Sequence, residues 1–460
     1  MSKQDQKELR QQIACEWLEE NYLQFGSLRH DVVTDRLQIR VADSLSAPHN
    51  ATSVIGDPAE DASLQNAPEG LQFRGKENWR NLTDKDINTM VCQCVAEKGV
   101  NISTNEMWTA LKSDMVPAVH PLRAWLDGLR PYTADQPDWI DLVAQQVRVK
   151  PSGEEAKGDK ARGEELWRAC FKKWFVAMVA SWMKDEVVNH TVLVLVGRQG
   201  IFKTTWLDKL IPPELRAYSS KLPLSGQISK DDRLRLCENG MLNIDELDAM
   251  CGREMNIVKS LLTSTDVNER AAYGRLKERR VRLASFCAST NKREFLTDIT
   301  GNRRWLPFEV ESIQNPFHTI IPYERLYAQA KALVEEGIFS YWFDMEEMEV
   351  LEAHNEEFRA LENEEQLLPI LFDIPAEGKG EFMTTAEISD KLVTYGGIKK
   401  PMNSRKLGML LSKRGYTKRT MYISGTMVRG WIVYQREADE IKLVKKRENV
   451  LTSLQPDNLF

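Results

Sequence analysis

Four short stretches carry side chains suited to handling phosphate. The first, "VLVLVGRQGIFKTTWLDKL" (192–210), runs from a strand-like apolar segment through Gly197 and Gly200 to Lys203 and Thr204. It approaches the G-x-x-x-x-G-K-[ST] phosphate loop. There, glycines let backbone N–H groups wrap an anion, the lysine reaches the β- and γ-phosphates, and the hydroxyl holds Mg²⁺. The position before the lysine, ordinarily glycine, is Phe202. A phenylalanine is compatible with the loop if its φ is negative and its ring points away from the phosphates. Gly197, Gly200, Lys203 and Thr204 are therefore the expected nucleotide contacts, with a chance strand–helix junction as the alternative.

The second stretch, "GMLNIDELDAM", is an apolar strand ending in Asp245 and Glu246. In phosphate hydrolysis one such carboxylate orients Mg²⁺ and the other polarises the attacking water. Thr204 and Asp245 are thus the expected metal-holding residues. The third, "RLASFCASTN", ends in Ser289, Thr290 and Asn291, where the Asn291 amide could hold the nucleophilic water, although asparagine is also a common turn residue. The fourth, "TGNRRWLPFEV", places Arg303 and Arg304 after a Gly-Asn turn. Adjacent arginines are commonly surface residues, but here one could stabilise transition-state charge from a neighbouring subunit. The expected catalytic set is Lys203, Asp245, Glu246, Asn291, Arg303 and Arg304, with ATP and Mg²⁺ as cofactors.

These residues need strands to carry them. Between 191 and 310 the runs "TVLVLVG", "GMLNID" and "RLASFCAST" alternate with helix- or turn-like segments, which predicts an α/β domain with a mainly parallel sheet. Ahead of it, "LWRACFKKWFVAMVASWM" reads as an aromatic-rich helix, and "KPSGEEAKGDKARGEE" (150–165) as a linker or mobile loop. Residues 1–26 read as a helix, 28–80 as polar text in which 46–70 looks like loop with little core, and 83–147 as helical again. An acidic stretch, 343–366, reads as an exposed helix and spacer. From 381 to 436 the order helix, basic helix and two short strands joined around Gly425 suggests a winged-helix module. The expected domains are a mostly helical 1–150, a P-loop ATPase over 160–335, an acidic connector over 336–370 and a basic module over 375–440.

Composition narrows the classes. The 460 residues carry a net charge of −6, so nucleic-acid binding must rest on local basic patches. No apolar run approaches the roughly 18 residues that span a membrane, and the start has no secretory h-region. The seven cysteines form no C-x-x-C pair, and His30, His49, His120 and His190 form no constellation. Reduced thiols and a cytoplasmic location, in a bacterial or phage-infected cell, are the expectation.

The order of "GRQGIFKTT", "NIDELD", "YGRLKERR" and "ASTNKREFLTDITGNRRWLPFEV" resembles the virulence-associated protein E family. These are phage- and prophage-type AAA+ ATPases related to superfamily 3 helicases and poxvirus-type primase-helicases. The resemblance covers roughly 160–310, and "TN…FL.D.TGNRR" is its most specific part. It implies that Lys203 and Thr204 contact phosphate and Mg²⁺, that Asp245 and Glu246 form the Walker B pair, and that Asn291 is the sensor. It further implies that Arg303 or Arg304 is the trans-acting finger of a ring, six subunits being the family expectation.

In superfamily 3 helicases a β-hairpin lies between the acidic strand and the sensor strand. The matching segment here, "TSTDVNERAAYGRLKERRVRLASF", holds Tyr273, Arg275, Lys277, Arg279 and Arg280, together with Arg270 and Arg282. The basic side chains would track a phosphate backbone and Tyr273 would pack on a sugar or base, though a helix fits the periodicity nearly as well. The stretch from Lys391 to Gln435 has no Asp or Glu, and its helix "NSRKLGMLLSKRG" has an Asn cap, apolar Leu407, Leu410 and Leu411, and an opposite side bearing Arg405 and Lys406. The alternative is a basic surface docked on the acidic 343–366 segment. The reading is a DNA motor of a phage or mobile element acting on single-stranded or forked DNA, with a primase or other replication protein as a further partner. The alternative is an ATP-controlled DNA-binding switch that hydrolyses slowly and does not unwind. A small-molecule kinase fits the basic segments poorly, and no D-x-D pair with a partner histidine marks a primase in the first 150 residues.

Overall fold

A computed structural model describes residues 2–41, 78–151, 160–222, 229–245, 247, 252–269, 278–296, 302–361, 363–376, 380–399, 401–423 and 425–444. The chain divides into two compact units, one of residues 1–291 and 306–345, the other of 292–305 and 346–460.

The first unit opens with α1 (Lys3–Leu18), started by a capping box in which Ser2 and Asp5 satisfy each other's backbone N–H, and continued by a π-helical turn, Glu19–Leu23. Strands β1 (Leu28–Asp31), β2 (Arg36–Val41) and β3 (Asn78–Asn81) follow, then α2 (Asp84–Lys98), α3 (Thr104–Leu111) and β4 (Ala118–Val119). The strands form one sheet of order β3-β2-β1-β4. Leu28 and Leu37 join Trp17, Leu18, Ile87, Met90, Met107 and Leu111 in a core. The loop with little core expected over 46–70 lies outside the described residues, and the polar text on either side of it supplies β1, β2 and β3. Those strands are short and polar on one side, so composition hides them. Asp31 is fully buried and accepts from Val33 N, Thr34 Oγ1 and, at 2.9 Å, Tyr218 Oη, which ties this sheet to the segments that follow.

Next come α4 (Pro121–Asp127), α5 (Trp139–Ala144), β5 (Val147–Val149) and the long α6 (Lys160–Met183). Helix α6 begins inside the stretch read as a linker, of which 152–159 lie outside the described residues. Its aromatic residues Trp167, Phe171, Trp174, Phe175 and Trp182 are buried. Each buried indole finds a carbonyl: Trp167 donates to Ala144 O, Trp174 to Phe286 O and Trp182 to Gly240 O. Apolar area thus pins α6 to the sheet while no indole N–H is stranded.

Around α6 are β6 (Val192–Val196), α7 (Lys203–Asp208), β7 (Ser219–Lys221), α8 (Lys230–Glu238) and β8 (Met241–Ile244). They are followed by α9 (Gly252–Thr263), β9 (Asp266–Glu269), β10 (Glu278–Val281), β11 (Ser285–Thr290), β12 (Trp305–Ile313) and α10 (Tyr323–Glu336). The central sheet is mixed, of order β5-β12-β6-β11-β8-β7. Strand β11 pairs in parallel with both β6 and β8, β7 pairs in parallel with β8, and β12 is antiparallel to β5. The run Val192–Val196 is buried at every position, as a strand covered on both faces must be.

The second unit holds α11 (Met345–Asn355), α12 (Asn363–Leu371), β13 (Phe372–Asp373), β14 (Glu381–Met383), α13 (Thr385–Gly396), α14 (Ser404–Lys413), β15 (Thr417–Ile423) and β16 (Thr426–Gln435). Strand β16 pairs with β13, β14 and β15. Ile388, Leu392, Leu407, Leu410, Leu411, Trp431 and Val433 form its core. The acidic segment 343–366 is not one exposed helix, and that expectation is corrected. α11 gives way to a 3-10 turn, Glu356–Phe358, and then to α12, with Leu351, His354, Asn355 and Phe358 buried. Two of its acids are buried because each meets a donor: Glu365 takes a bidentate pair from Arg359, and Glu364 accepts from Met402 N. Residues 292–305, expected within the ATPase domain, belong to this unit, where Leu296 bridges Arg359 and the Phe295 and Trp305 rings meet edge to face at 6.0 Å.

Candidate nucleotide site

Parallel strands in one register end on one side, so β6, β8 and β11 deliver their following residues to a common edge. The chain leaves β6 through Gly197 (φ 153°), Gly200 (φ 84°) and Phe202 (φ 68°) before α7 begins at Lys203. Gly197 N donates to Thr290 O at 3.1 Å, which fastens the loop to the end of β11. A side chain at Gly197 would press on Ile201 and on Val310 O, each 3.1 Å from an added Cβ.

Phe202 departs from the expected negative φ. The turn into α7 requires a left-handed residue, the conformation that glycine at this place supplies without steric cost. The ring lies edge to face on Phe317 at 6.2 Å, and the Lys209 ammonium sits 4.6 Å from the Phe317 ring centre while donating to Pro316 O. That aromatic contact offsets part of the strain.

Lys203 is buried, and its ammonium donates to Gly197 O at 2.6 Å, Arg198 O at 2.7 Å and Asn291 Oδ1 at 3.0 Å. The lysine thereby closes the loop on itself and links it to the residue after β11. Thr204 Oγ1 lies 3.1 Å from Asp245 Oδ1 and 2.9 Å from Ser289 Oγ, and Ser289 also donates to Asp245 Oδ1 at 3.1 Å. The other Asp245 oxygen accepts from Lys221 Nζ at 2.6 Å. Burial pushes the Asp245 carboxyl up, but the donors Lys221, Thr204 and Ser289 outweigh it and hold the group below its ordinary value. Asp245 is thus an anion, wrapped by hydroxyls on one side and an ammonium on the other.

The structure therefore brings together Gly197, Gly200, Lys203, Thr204, Asp245 and Asn291 from the sequence-derived set. Glu246 lies outside the described residues. Arg303 and Arg304 form a 3-10 turn, Asn302–Arg304, in the second unit, Arg303 exposed and Arg304 half-buried. Two residues were not singled out from the sequence. Ser289 had a signal, since it lies near the end of β11, two residues before Asn291. Lys221 had none: β7 pairs in parallel with β8 and sets Lys221 opposite Asn243, two residues before Asp245.

Strands β9 and β10 form an antiparallel pair, Asp266 opposite Val281 and Glu269 opposite Glu278. The helical alternative concerns 269–279, of which 270–277 lie outside the described residues. Arg270, Tyr273, Arg275 and Lys277 lie outside the described residues. Arg279 is exposed and paired with Asp266 at 2.6 Å. Arg280 corrects its expected role in DNA contact: it turns inward to Glu238 and to Val33 O. Arg282 is also withdrawn, fully buried and donating to the carbonyls of Asn189, Leu261, Leu262 and Ala284. Burial brings its pKa down to about 9, and the four carbonyls compensate the desolvated charge, which persists at neutral pH. In the second unit, α14 is capped by Asn403 and buries Leu407, Leu410 and Leu411, leaving Arg405 exposed and Lys406 half-buried.

Residues 159–360 match the family model of the virulence-associated protein E-like domain. Over this stretch the chain is similar to that domain. The matched stretch contains the loop, the Asp245 cluster, the β9–β10 pair and the Asn302–Arg304 turn. Two solved structures of the NrS-1 C-terminal region in its apo state also align with the chain. One covers 90% of this chain and 97% of its own at 11% identity with a TM-score of 0.42. The other, an A-form structure, covers 91% and 99% at 12% identity with a TM-score of 0.41. No curated protein matches the chain. Among the described residues no helix is long and apolar enough to cross a membrane.

Proposed function

We propose that the chain is an ATP-hydrolysing, oligomeric DNA motor, a helicase or initiator in the replication of a phage or mobile element. The observation that carries this reading is the convergence of Lys203, Thr204, Asp245, Ser289 and Asn291 at the ends of β6, β8 and β11. In an α/β sheet, ligands bind outside the carboxyl ends of the strands, and a glycine-bearing loop there offers its N–H groups to phosphate. On nucleotide binding, Lys203 would exchange the Gly197 and Arg198 carbonyls for the β- and γ-phosphate oxygens. On the Oδ1 side of Asp245 the groups are oxygen-only, one carboxylate oxygen and two hydroxyls within 3.1 Å of one another, which fits Mg²⁺ shared with phosphate, while Lys221 occupies the other oxygen. Thr204 and Asp245 would hold that ion, whose contribution when bound is to neutralise phosphate charge. Glu246 would take the proton of the attacking water and Asn291 would position that water. Arg303 or Arg304 would reach the site of an adjacent subunit in a ring, with six copies as the working number. The basic α13–α14–β15–β16 unit would act as a winged-helix DNA contact.

The test is ATP hydrolysis with and without single-stranded DNA, comparing wild type with Lys203→Ala. DNA-stimulated turnover that disappears in the variant supports the motor. Nucleotide binding without turnover in wild type under either condition sinks it. The left-handed Phe202 then favours the second reading, an ATP-set DNA-binding switch without unwinding, which a forked-duplex unwinding assay separates from the motor.

A further inference from the structure

On one face of the β15–β16 hairpin the residues change in kind from its foot to its turn. Register pairs Lys418 with Trp431, Thr420 with Arg429 and Tyr422 with Met427. Side chains alternate along a strand, so these six share one face. At its foot Trp431 is buried and anchored, its indole N–H donating to Thr385 Oγ1 at 3.0 Å. Lys418 lies over the Trp431 ring at 5.9 Å. Toward the turn, Tyr422 is 76% and Met427 68% exposed. A large aromatic and a methionine, paired across the hairpin and both exposed to water, do not serve the core.

The foot of this face opens into a cleft of about 970 Å³, which Lys418, Arg429 and Trp431 share with Arg405, Ser412 and Lys413 of α14. Glu352 and Glu356 line its other side, and Glu356 is paired with Lys413 at 2.6 Å. Arg405 and Arg429 have no carboxylate partner among the described residues. The stretch from Lys391 to Gln435 has no acid at all, so the hairpin cannot neutralise its own cations. Going outward from the cleft, one face therefore presents cations first and an exposed aromatic second. From Lys418 to Tyr422 is four residues, roughly 13 Å at strand rise.

We infer that this face is a single-stranded DNA track, in which Arg405, Lys418 and Arg429 take the phosphates and Tyr422, backed by Met427, stacks on a base. The inference rests on the DNA reading proposed above and deepens it. A charged track with an aromatic platform is what a strand with separated π-faces and a phosphate backbone recognises, and it needs no sequence readout. A duplex keeps its bases stacked inside and offers Tyr422 nothing but a terminal pair. An acidic protein segment would satisfy the cations but leave the Tyr422 ring unused.

The experiment uses the full chain and a single-stranded oligothymidylate containing 2-aminopurine, whose fluorescence reports stacking. Wild type should bind with a change in 2-aminopurine emission. Tyr422→Ala should weaken binding about tenfold, since stacking on one aromatic is worth roughly 1–3 kcal/mol by alanine substitution, and should remove the emission change. Its salt slope should stay as in wild type. Tyr422→Phe should restore both affinity and emission. Arg429→Ala should instead lower the slope of log K against log salt by about 0.7, the loss of one phosphate contact on a single strand. Unchanged thermal midpoints exclude misfolding, and Tyr422→Phe keeps the test decisive if the alanine variant unfolds. Binding that is equally tight with Tyr422→Ala, with the emission change kept, overturns the track while leaving the DNA reading standing. Absence of any single-strand binding by wild type, with or without ATP, overturns both.

Discussion

Substituting Phe202 separates the backbone demand of the phosphate loop from its side-chain contacts. At φ 68°, ψ 17° the residue is left-handed, which costs a non-glycine residue roughly 1–2 kcal/mol. Its edge-to-face contact with Phe317 returns about 0.5–1.5 kcal/mol. Phe202→Ala loses the ring contact and keeps the strain, so it should destabilise by about 1 kcal/mol. Phe202→Gly also loses the ring contact and adds about 0.5–1 kcal/mol of chain entropy, but it releases the strain. The terms nearly cancel, and the glycine variant should lie within about 1 kcal/mol of wild type. Glycine should therefore be more stable than alanine by roughly 1 kcal/mol, the reverse of their order at ordinary positions. Urea midpoints of the three proteins measure this, and a fluorescent ATP analogue checks that the glycine variant still binds nucleotide. Alanine equal to or more stable than glycine would refute the left-handed turn and the loop geometry built on it.

Lys221 sits on the free oxygen of Asp245, so Lys221→Ala should strengthen divalent-cation binding there. A partly exposed pair is worth up to about 1 kcal/mol, which corresponds to roughly fivefold in affinity, read by Mn²⁺ paramagnetic resonance without nucleotide. Weaker Mn²⁺ binding in the variant would remove Asp245 from the cation site. His120 caps α4 by accepting from Arg123 N at 3.3 Å, a role only the unprotonated ring fills. Burial, then the Arg123 charge, brings its pKa down to about 4 from the ordinary 6.5. Between these values the unfolded chain binds more protons, so this group's contribution is complete above pH 6.5 and is lost as pH falls toward 4. His120→Asn keeps an acceptor without the titration and should flatten the loss of thermal midpoint across that window. An unchanged acid profile would place His120 in solvent.

Much of the site was legible because its residues lie in order along strands and turns. An apolar run closing in glycines with a following lysine, and a strand closing in an acid, are local patterns whose period and composition survive in the sequence. Helix α14 was legible for the same reason: an Asn cap, three leucines at helical spacing and a basic remainder leave one stable orientation. Lys221 was not legible, because only the parallel pairing of β7 with β8 carries it to Asp245. Arg280 and Arg282 read as members of a basic stretch, and no sequence pattern says that one reaches Val33 and the other a nest of carbonyls.

The sequence by itself determined which residue types occupy the loop, the strand ends and the basic module, because each rests on neighbours within a few positions. Tertiary structure alone decided the φ of Phe202, the withdrawal of Arg280 and Arg282, and the folding of the acidic 343–366 segment around Arg359. In each of these the energy comes from partners far along the chain: Phe317 for Phe202, Val33 for Arg280 and Asn189 for Arg282. For the acidic segment it is Met402, whose N–H meets Glu364. A buried charge is stable only where such a partner arrives, and its arrival is a property of the packed chain.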